Sequence, residues 1–257
     1  MSYKNTFFYG VWLLLTILLA YWFTYPLDNF SGKYSFGAND PTGGVWLLNW
    51  QLTQLSSGNF DQLFTGNSFY PLDRPVYFHD TIFSTVLLVL PVFLVTQDPY
   101  ICYGAAIFSS HILSSLGMFL LARQLKLDHL AALLAAIIFT FSGSRYAFSS
   151  AISLAIVQWM PFTLFFVHKY FDKRRRIFLY WASLFYLMQI TATAYHGIFF
   201  SIVLLTFICI LIYQQDNFRF KKFSLDVAPP ILIIVAVASI YFIPYLHEAN
   251  EFGFNCI

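Results

Sequence analysis

The chain has 257 residues, 59% of them hydrophobic and 10% charged, with a mean hydropathy of +0.66 and a formal net charge of +2. Soluble domains carry roughly 25% charged residues, so this composition excludes an ordinary soluble enzyme, and the near-neutral charge gives nucleic-acid binding no support. Apolar runs recur between short polar or basic joints, which predicts an all-α polytopic transmembrane bundle and not a barrel. The cysteines, Cys102, Cys209 and Cys256, are odd in number and have neither a disulfide framework nor metal-ligand spacing.

Lys4 precedes the apolar run Phe7 to Phe23, which is long enough to cross a hydrocarbon core of about 30 Å. No small-residue cleavage pattern follows, so the segment reads as a retained signal anchor. It leads into the long polar interval Tyr25 to Asp80. There Asp40-Pro41 marks a helix start, a carboxylate at the cap with proline at the first helical position. The spacing predicts a helix to about Leu55, with Val45, Leu48, Leu52 and Leu55 on one stripe and Trp46 and Trp50 at headgroup depth, lying along the membrane surface. Ser57-Gly58-Asn59 ends it, and Phe69 to Pro75 is a proline-punctuated connection.

Further apolar segments follow at Thr81 to Val95, Ile101 to Leu121, Leu130 to Phe141, Ile152 to Val167, Ile177 to Ile190, Ile198 to Tyr213 and Val227 to Leu246. Lys173 to Arg176 is the densest basic run and belongs on the cytoplasmic side. With a cytoplasmic N-terminus the crossings before it must be even in number, whereas five candidates precede it, so one does not cross. Thr81 to Val95 is the choice, being short, containing Pro91 and flanked by His79, Asp80 and Asp98. About seven spans result, in a single domain over 1–257 whose outer loop, 25–98, carries interfacial helices. Eleven of the fourteen basic residues then face the cytoplasm, with Lys33, Arg74 and Arg145 outside.

A carboxylate at the start of a surface helix can take a proton from a hydroxyl or hold a divalent metal. Equally, Asp40 can be a helix cap and nothing more. Asp61, Asp73 and Asp80 read as solvated loop residues. Arg145, within Ser142-Gly143-Ser144-Arg145-Tyr146, stands at the outer end of an apolar run, where an arginine pairs with a lipid phosphate or snorkels to headgroups. His79-Asp80 and Tyr195-His196 suit phosphate orientation or proton relay, or simply fill the interface. The basic run Lys173 to Arg176 reads as a topology determinant.

An N-terminal anchor is followed by an outward loop with Asp40 ahead of Gly43-Gly44-Val45-Trp46-Leu47-Leu48-Asn49-Trp50, then by Phe69-Tyr70-Pro71 and His79. Together with Leu121-Ala122-Arg123-Gln124-Leu125, Phe141 to Tyr146, Gln158-Trp159-Met160-Pro161 and Tyr195-His196-Gly197, this order resembles the GT-C superfamily of multispanning membrane glycosyltransferases. The resemblance implies transfer of a sugar from a polyprenyl-phosphate donor to an acceptor, of identity not given by the sequence, on the extracytoplasmic side of the plasma (inner) membrane. It implies Asp40 as catalytic base, with His79, Arg145, Tyr146 and His196 as substrate-binding candidates. The second acidic motif of the metal-dependent members has no counterpart between Tyr146 and Ser153, so no metal cofactor is expected. Members of the superfamily usually have more spans, and the chain reads as the N-terminal portion of a longer protein. Two alternatives stand beside this reading: a non-catalytic or truncated protein that binds lipid-linked saccharide, and a transporter or flippase.

Overall fold

Short polar joints carrying proline, aspartate or glycine divide the apolar sequence into helices, and the computed structural model describes residues 3–24, 40–68, 74–80, 82–143, 145, 151–216 and 218–251. The side chains of 3–8, 40–41 and 248–251 lie outside that description. The helices are α1 (Tyr3–Thr24), α2 (Asp40–Ser56), α3 (Phe83–Thr96), α4 (Pro99–Gln124), α5 (His129–Thr140), α6 (Ile152–Ala155), α7 (Trp159–Lys173), α8 (Ile177–Ala192), α9 (Ala194–Tyr213) and α10 (Phe220–Glu251). No strand occurs among the described residues. Four helical stretches are long and apolar enough to cross a membrane: Pro99–Gln124, Ile152–Lys173, Ala194–Tyr213 and Phe220–His247. Tyr9–Thr24, Phe83–Thr96, His129–Thr140 and Ile177–Ala192 are shorter apolar helices.

Local chemistry sets the boundaries. Asp98 accepts from the amides of Tyr100 and Ile101 at 2.8 and 3.3 Å, and Pro99 opens α4 where no amide donor is needed. Gln97, left-handed at φ 53°, closes α3, so α3 and α4 are joined by a two-residue turn. Asp128 caps α5 through the Ala131 amide at 2.8 Å.

The main core lies where α2, α3, α4, α6 and the start of α7 meet, around Leu48, Leu52, Val86, Tyr103, Ile107 and Ile156. The apolar stripe of α2 is thus covered by protein and not by lipid. Its tryptophans are also engaged: the Trp46 indole donates to Asn67 Oδ1 and that of Trp50 to the Gln62 carbonyl, each at 3.0 Å. These bonds tie the following loop to α2. Segment α3 packs against α2, α4 and α8, and Ser84 Oγ donates to the Met188 carbonyl at 2.6 Å. With 14 residues it extends about 21 Å. A second cluster joins α7, α8 and α9 through Val167, Tyr170, Phe171, Leu179 and Leu211. A third, Trp12, Phe119, Ala122, Ala132 and Ala136, fastens α1 and α5 to α4.

Two findings differ from the segments expected from sequence. Ile152 to Val167 is not one helix: Ile156 turns to an extended conformation at φ −87°, ψ 96°, and α7 restarts at Trp159. Thr191 to Gly197 is scarcely a loop, since Thr193 alone separates α8 from α9, at φ −165°, ψ 129°. Gly197 permits this corner. A Cβ there would stand 2.5 Å from Ile190 Cγ2 and 3.2 Å from its backbone Cα. Gly197→Ala should therefore force α8 and α9 apart and destabilise the protein by roughly 1–3 kcal/mol. Thermal melting of the purified variant checks this, and an unchanged melting temperature would refute the packing argument.

The bundle has two chemically distinct ends. The basic joints Lys169 to Arg176 and Arg219 to Lys222 gather where α7 ends and α8 and α10 begin. At the other end, Tyr241 and Tyr245 of α10 pack their rings on Phe64 and Tyr77, with centroids 5.5 and 4.6 Å apart.

Candidate functional site

At that second end a cleft of about 370 Å³ is walled by Gly43, Gly44 and Leu47 of α2, by His79, Asp80 and Ile82, and by Ala151 to Leu154. Helix α2 begins at Asp40, one turn before the glycines that line the cleft; the Asp40 side chain is outside the description. Gly44 brings α2 close to its neighbours, since a Cβ there would lie 3.2 Å from Ile152 and 3.3 Å from Tyr103. A 3-10 turn, Pro75–Phe78, delivers His79, whose backbone amide donates to Val76 and whose ring stands 5.3 Å from that of Trp46.

Burial lowers the His79 pKa from its ordinary 6.5, against an opposing pull from Asp80. The imidazole is therefore neutral near pH 7 and acts as a hydrogen-bonding group and not as a cation until an anion arrives beside it. The unfolded chain takes up the proton first as pH falls. The contribution of His79 to stability is thus complete above about pH 6.5 and declines below it. Melting of the parent and of His79→Asn between pH 5 and 8 tests this: the parent should lose more stability than the variant on acidification.

Beneath the cleft wall lies a buried polar cluster built on the helix break. Arg145 is only 6% exposed. Its Nη1 donates to the Thr140 carbonyl at 3.2 Å, and its Nη2 donates to Ser110 Oγ and the Ala155 carbonyl, both at 2.9 Å. Ser110 reaches Gln158 Oε1 at 2.7 Å, and Gln189 Nε2 donates to the Ile156 carbonyl at 2.9 Å. His196 Nδ1 stands 3.4 Å from the same carbonyl. The carbonyls released by the break are thus occupied by side chains from α4, α8 and α9. Arg145 points inward and is engaged with the chain, not placed at the headgroups as its position in the sequence suggests. Burial holds its pKa down at about 10, which leaves it charged at neutral pH.

His196 also opens onto an apolar groove of about 410 Å³ that runs past Met118, Leu121, Leu164, Phe199 and Val203. Among the described residues no three His, Cys, Asp or Glu side chains gather as metal ligands.

Neither family models, nor curated proteins, nor solved structures provide a match to this chain. Of the residues singled out in the sequence, His79 lies in the cleft wall, while Arg145 and His196 meet at the helix break behind it. Asp40 is placed by its backbone only, and Tyr146 lies outside the described residues. Asp80, read from sequence as a solvated loop residue, lines the cleft. Ser110, Gln158 and Gln189 complete the cluster; Ser110 and Ser114, one turn apart within the polar group Ser109 to Ser115, were the available signal for a polar face on α4.

Proposed function

We propose that the chain is a membrane glycosyltransferase that moves a sugar from a polyprenyl phosphate to an acceptor hydroxyl on the extracytoplasmic side, in the manner of the GT-C enzymes it resembles. The observation that carries this reading is the cleft itself, open at the start of α2 just beyond Asp40 and walled by His79 and Asp80. The groove ending at His196 has the apolar lining that a prenyl chain needs. In this reading the N-terminus is cytoplasmic, α1, α4, α5, the α6–α7 pair, α8, α9 and α10 make seven spans, and α3 stays with α2 in the outer layer.

The reaction is a direct displacement. The Asp40 carboxylate takes the proton of the acceptor hydroxyl as its oxygen bonds to the anomeric carbon; the bond from that carbon to the phosphate oxygen breaks, and the polyprenyl phosphate leaves with the electron pair. His79 donates a hydrogen bond to the departing phosphate, whose charge favours protonation of the ring. Arg145 has a positioning role, holding Ala155 and through it the 151–154 wall. No metal enters the scheme. Sugar transfer in membranes containing the parent or Asp40→Asn tests the proposal, and full activity of the variant at normal protein level sinks it.

The helix break favours a second reading, a transporter or flippase for the same lipid-linked saccharide, because interrupted helices mark many transport sites. Against an ion path, the carbonyls at the break are already engaged by Arg145, Ser110 and Gln189. Translocation that survives Asp40→Asn in vesicles where sugar transfer is absent would select the transporter.

A further inference from the structure

We infer that the basic end of the bundle binds an anionic phospholipid, with its phosphate between the end of α7 and the start of α10 and an acyl chain in the apolar groove that continues from there. This site is at the opposite end from the His79 cleft and does not depend on the catalytic reading. A cleft of about 240 Å³ is lined by Tyr170, Arg174, Arg219, Lys222 and Phe223. Three cations face it, and no carboxylate is among its lining residues. A buried carboxylate nearby, Asp226, is engaged elsewhere: it is 1% exposed, ion-paired to Arg176 and accepts from the Tyr170 hydroxyl at 2.9 Å. That ion pair also fixes the start of α10 against α8, which sets the width of the cleft.

Arg174 is held in place before any ligand arrives. Its backbone is left-handed at φ 52° where α7 ends, and its guanidinium lies over the rings of Tyr170, Phe171 and Phe218, 5.8, 5.3 and 5.6 Å from their centroids. A planar fork steadied on aromatic faces loses little freedom on gripping two oxygens of a phosphate.

Phe223 carries the second half of the argument. It lines both this cleft and a groove of about 190 Å³ between α7, α8, α9 and α10, whose walls include Phe171, Leu179, Leu204, Ile208 and Val227. A free phosphate has no use for such a groove. A molecule with an anionic head and an apolar tail fits both, and at a basic membrane end that molecule is a phospholipid.

The full chain, extracted in neutral detergent, is titrated with phosphatidylglycerol or phosphatidylcholine and the retained lipid is read by native mass spectrometry. Phosphatidylglycerol should bind roughly tenfold better than phosphatidylcholine. Arg174→Gln with Lys222→Gln should abolish that preference, whereas Lys173→Gln with Arg175→Gln, which removes the same charge outside the cleft lining, should keep it. Equal loss in both pairs would mean a diffuse charged face and overturns the site. Leu204→Trp, which fills the groove, should weaken the lipid and leave inorganic phosphate untouched. Inorganic phosphate binding as tightly as the lipid, with lipid binding indifferent to Leu204→Trp, assigns the cleft to free phosphate and overturns the lipid. All four exchanged cations are on the surface or half-buried at it, so the paired comparison stands even if Leu204→Trp fails to fold.

Discussion

Asp40→Asn is expected to lower sugar transfer at least about a hundredfold, the lower end of what general-base catalysis contributes, while protein level and melting temperature stay unchanged. The substitution separates the two roles that the sequence leaves entangled. Asparagine is as good a helix-capping residue as aspartate, so an amide preserves whatever Asp40 does for the start of α2. It cannot accept a proton from an attacking hydroxyl. Asp40→Ala would remove both functions at once, adding about 1 kcal/mol of helix destabilisation that clouds the activity loss. The assay uses membranes with a polyprenyl-phosphate sugar and follows product against protein detected in the same sample. A variant with normal melting and undiminished transfer would leave Asp40 as a cap alone and remove the base from the proposed mechanism.

Asp40-Pro41 marks the start of α2 in the sequence, and α2 begins at Asp40. Asp98-Pro99 and Asp128, which cap α4 and α5, are local signals of the same kind, but the apolar runs alone place those starts one or two residues late, at Ile101 and Leu130. What covers an apolar stripe was not legible. Periodicity in Val45, Leu48 and Leu52 reports that one face of α2 is buried, but lipid and the side chains of α3 and α4 satisfy the same pattern. Only the tertiary arrangement distinguishes them. The break at Ile156 was hidden for a related reason: Ile152 to Val157 is a nearly unbroken apolar run, and a helix continuing through it would look identical. Pro161 is the one trace, since a proline costs least in the first turn of a helix, and α7 begins two residues before it. Arg145 was misplaced because the end of an apolar run resembles an interface, whereas its partner Ser110 lies 35 residues away in sequence.

Arg145→Met is expected to destabilise the protein by roughly 1–3 kcal/mol, and Arg145→Lys, the substitution usually called conservative, by about 2–4 kcal/mol. Two opposed terms set the size of the effect. Burial lowers the guanidinium pKa to about 10, a desolvation cost of roughly 3 kcal/mol at 1.36 kcal/mol per pKa unit. Against it stand hydrogen bonds from a charged donor, worth roughly 1.5–3 kcal/mol each, of which the bond to Thr140 and the pair from Nη2 are the gain. Methionine gives up the desolvation cost with the bonds, but it leaves the Thr140 carbonyl without the Arg145 donor. Lysine keeps a buried cation yet cannot reach Thr140 on one side and Ser110 and Ala155 on the other, because an ammonium is a single point and not a fork. Both variants should lose transfer activity at least about tenfold, since a small displacement of a wall beside reacting groups is costly and Arg145 bonds both Thr140 and Ala155. Melting in detergent, paired with the transfer assay, decides the matter. Equal stability of the lysine variant and the parent would mean that charge alone is needed at this position, and the fork that holds the helix break would be incidental.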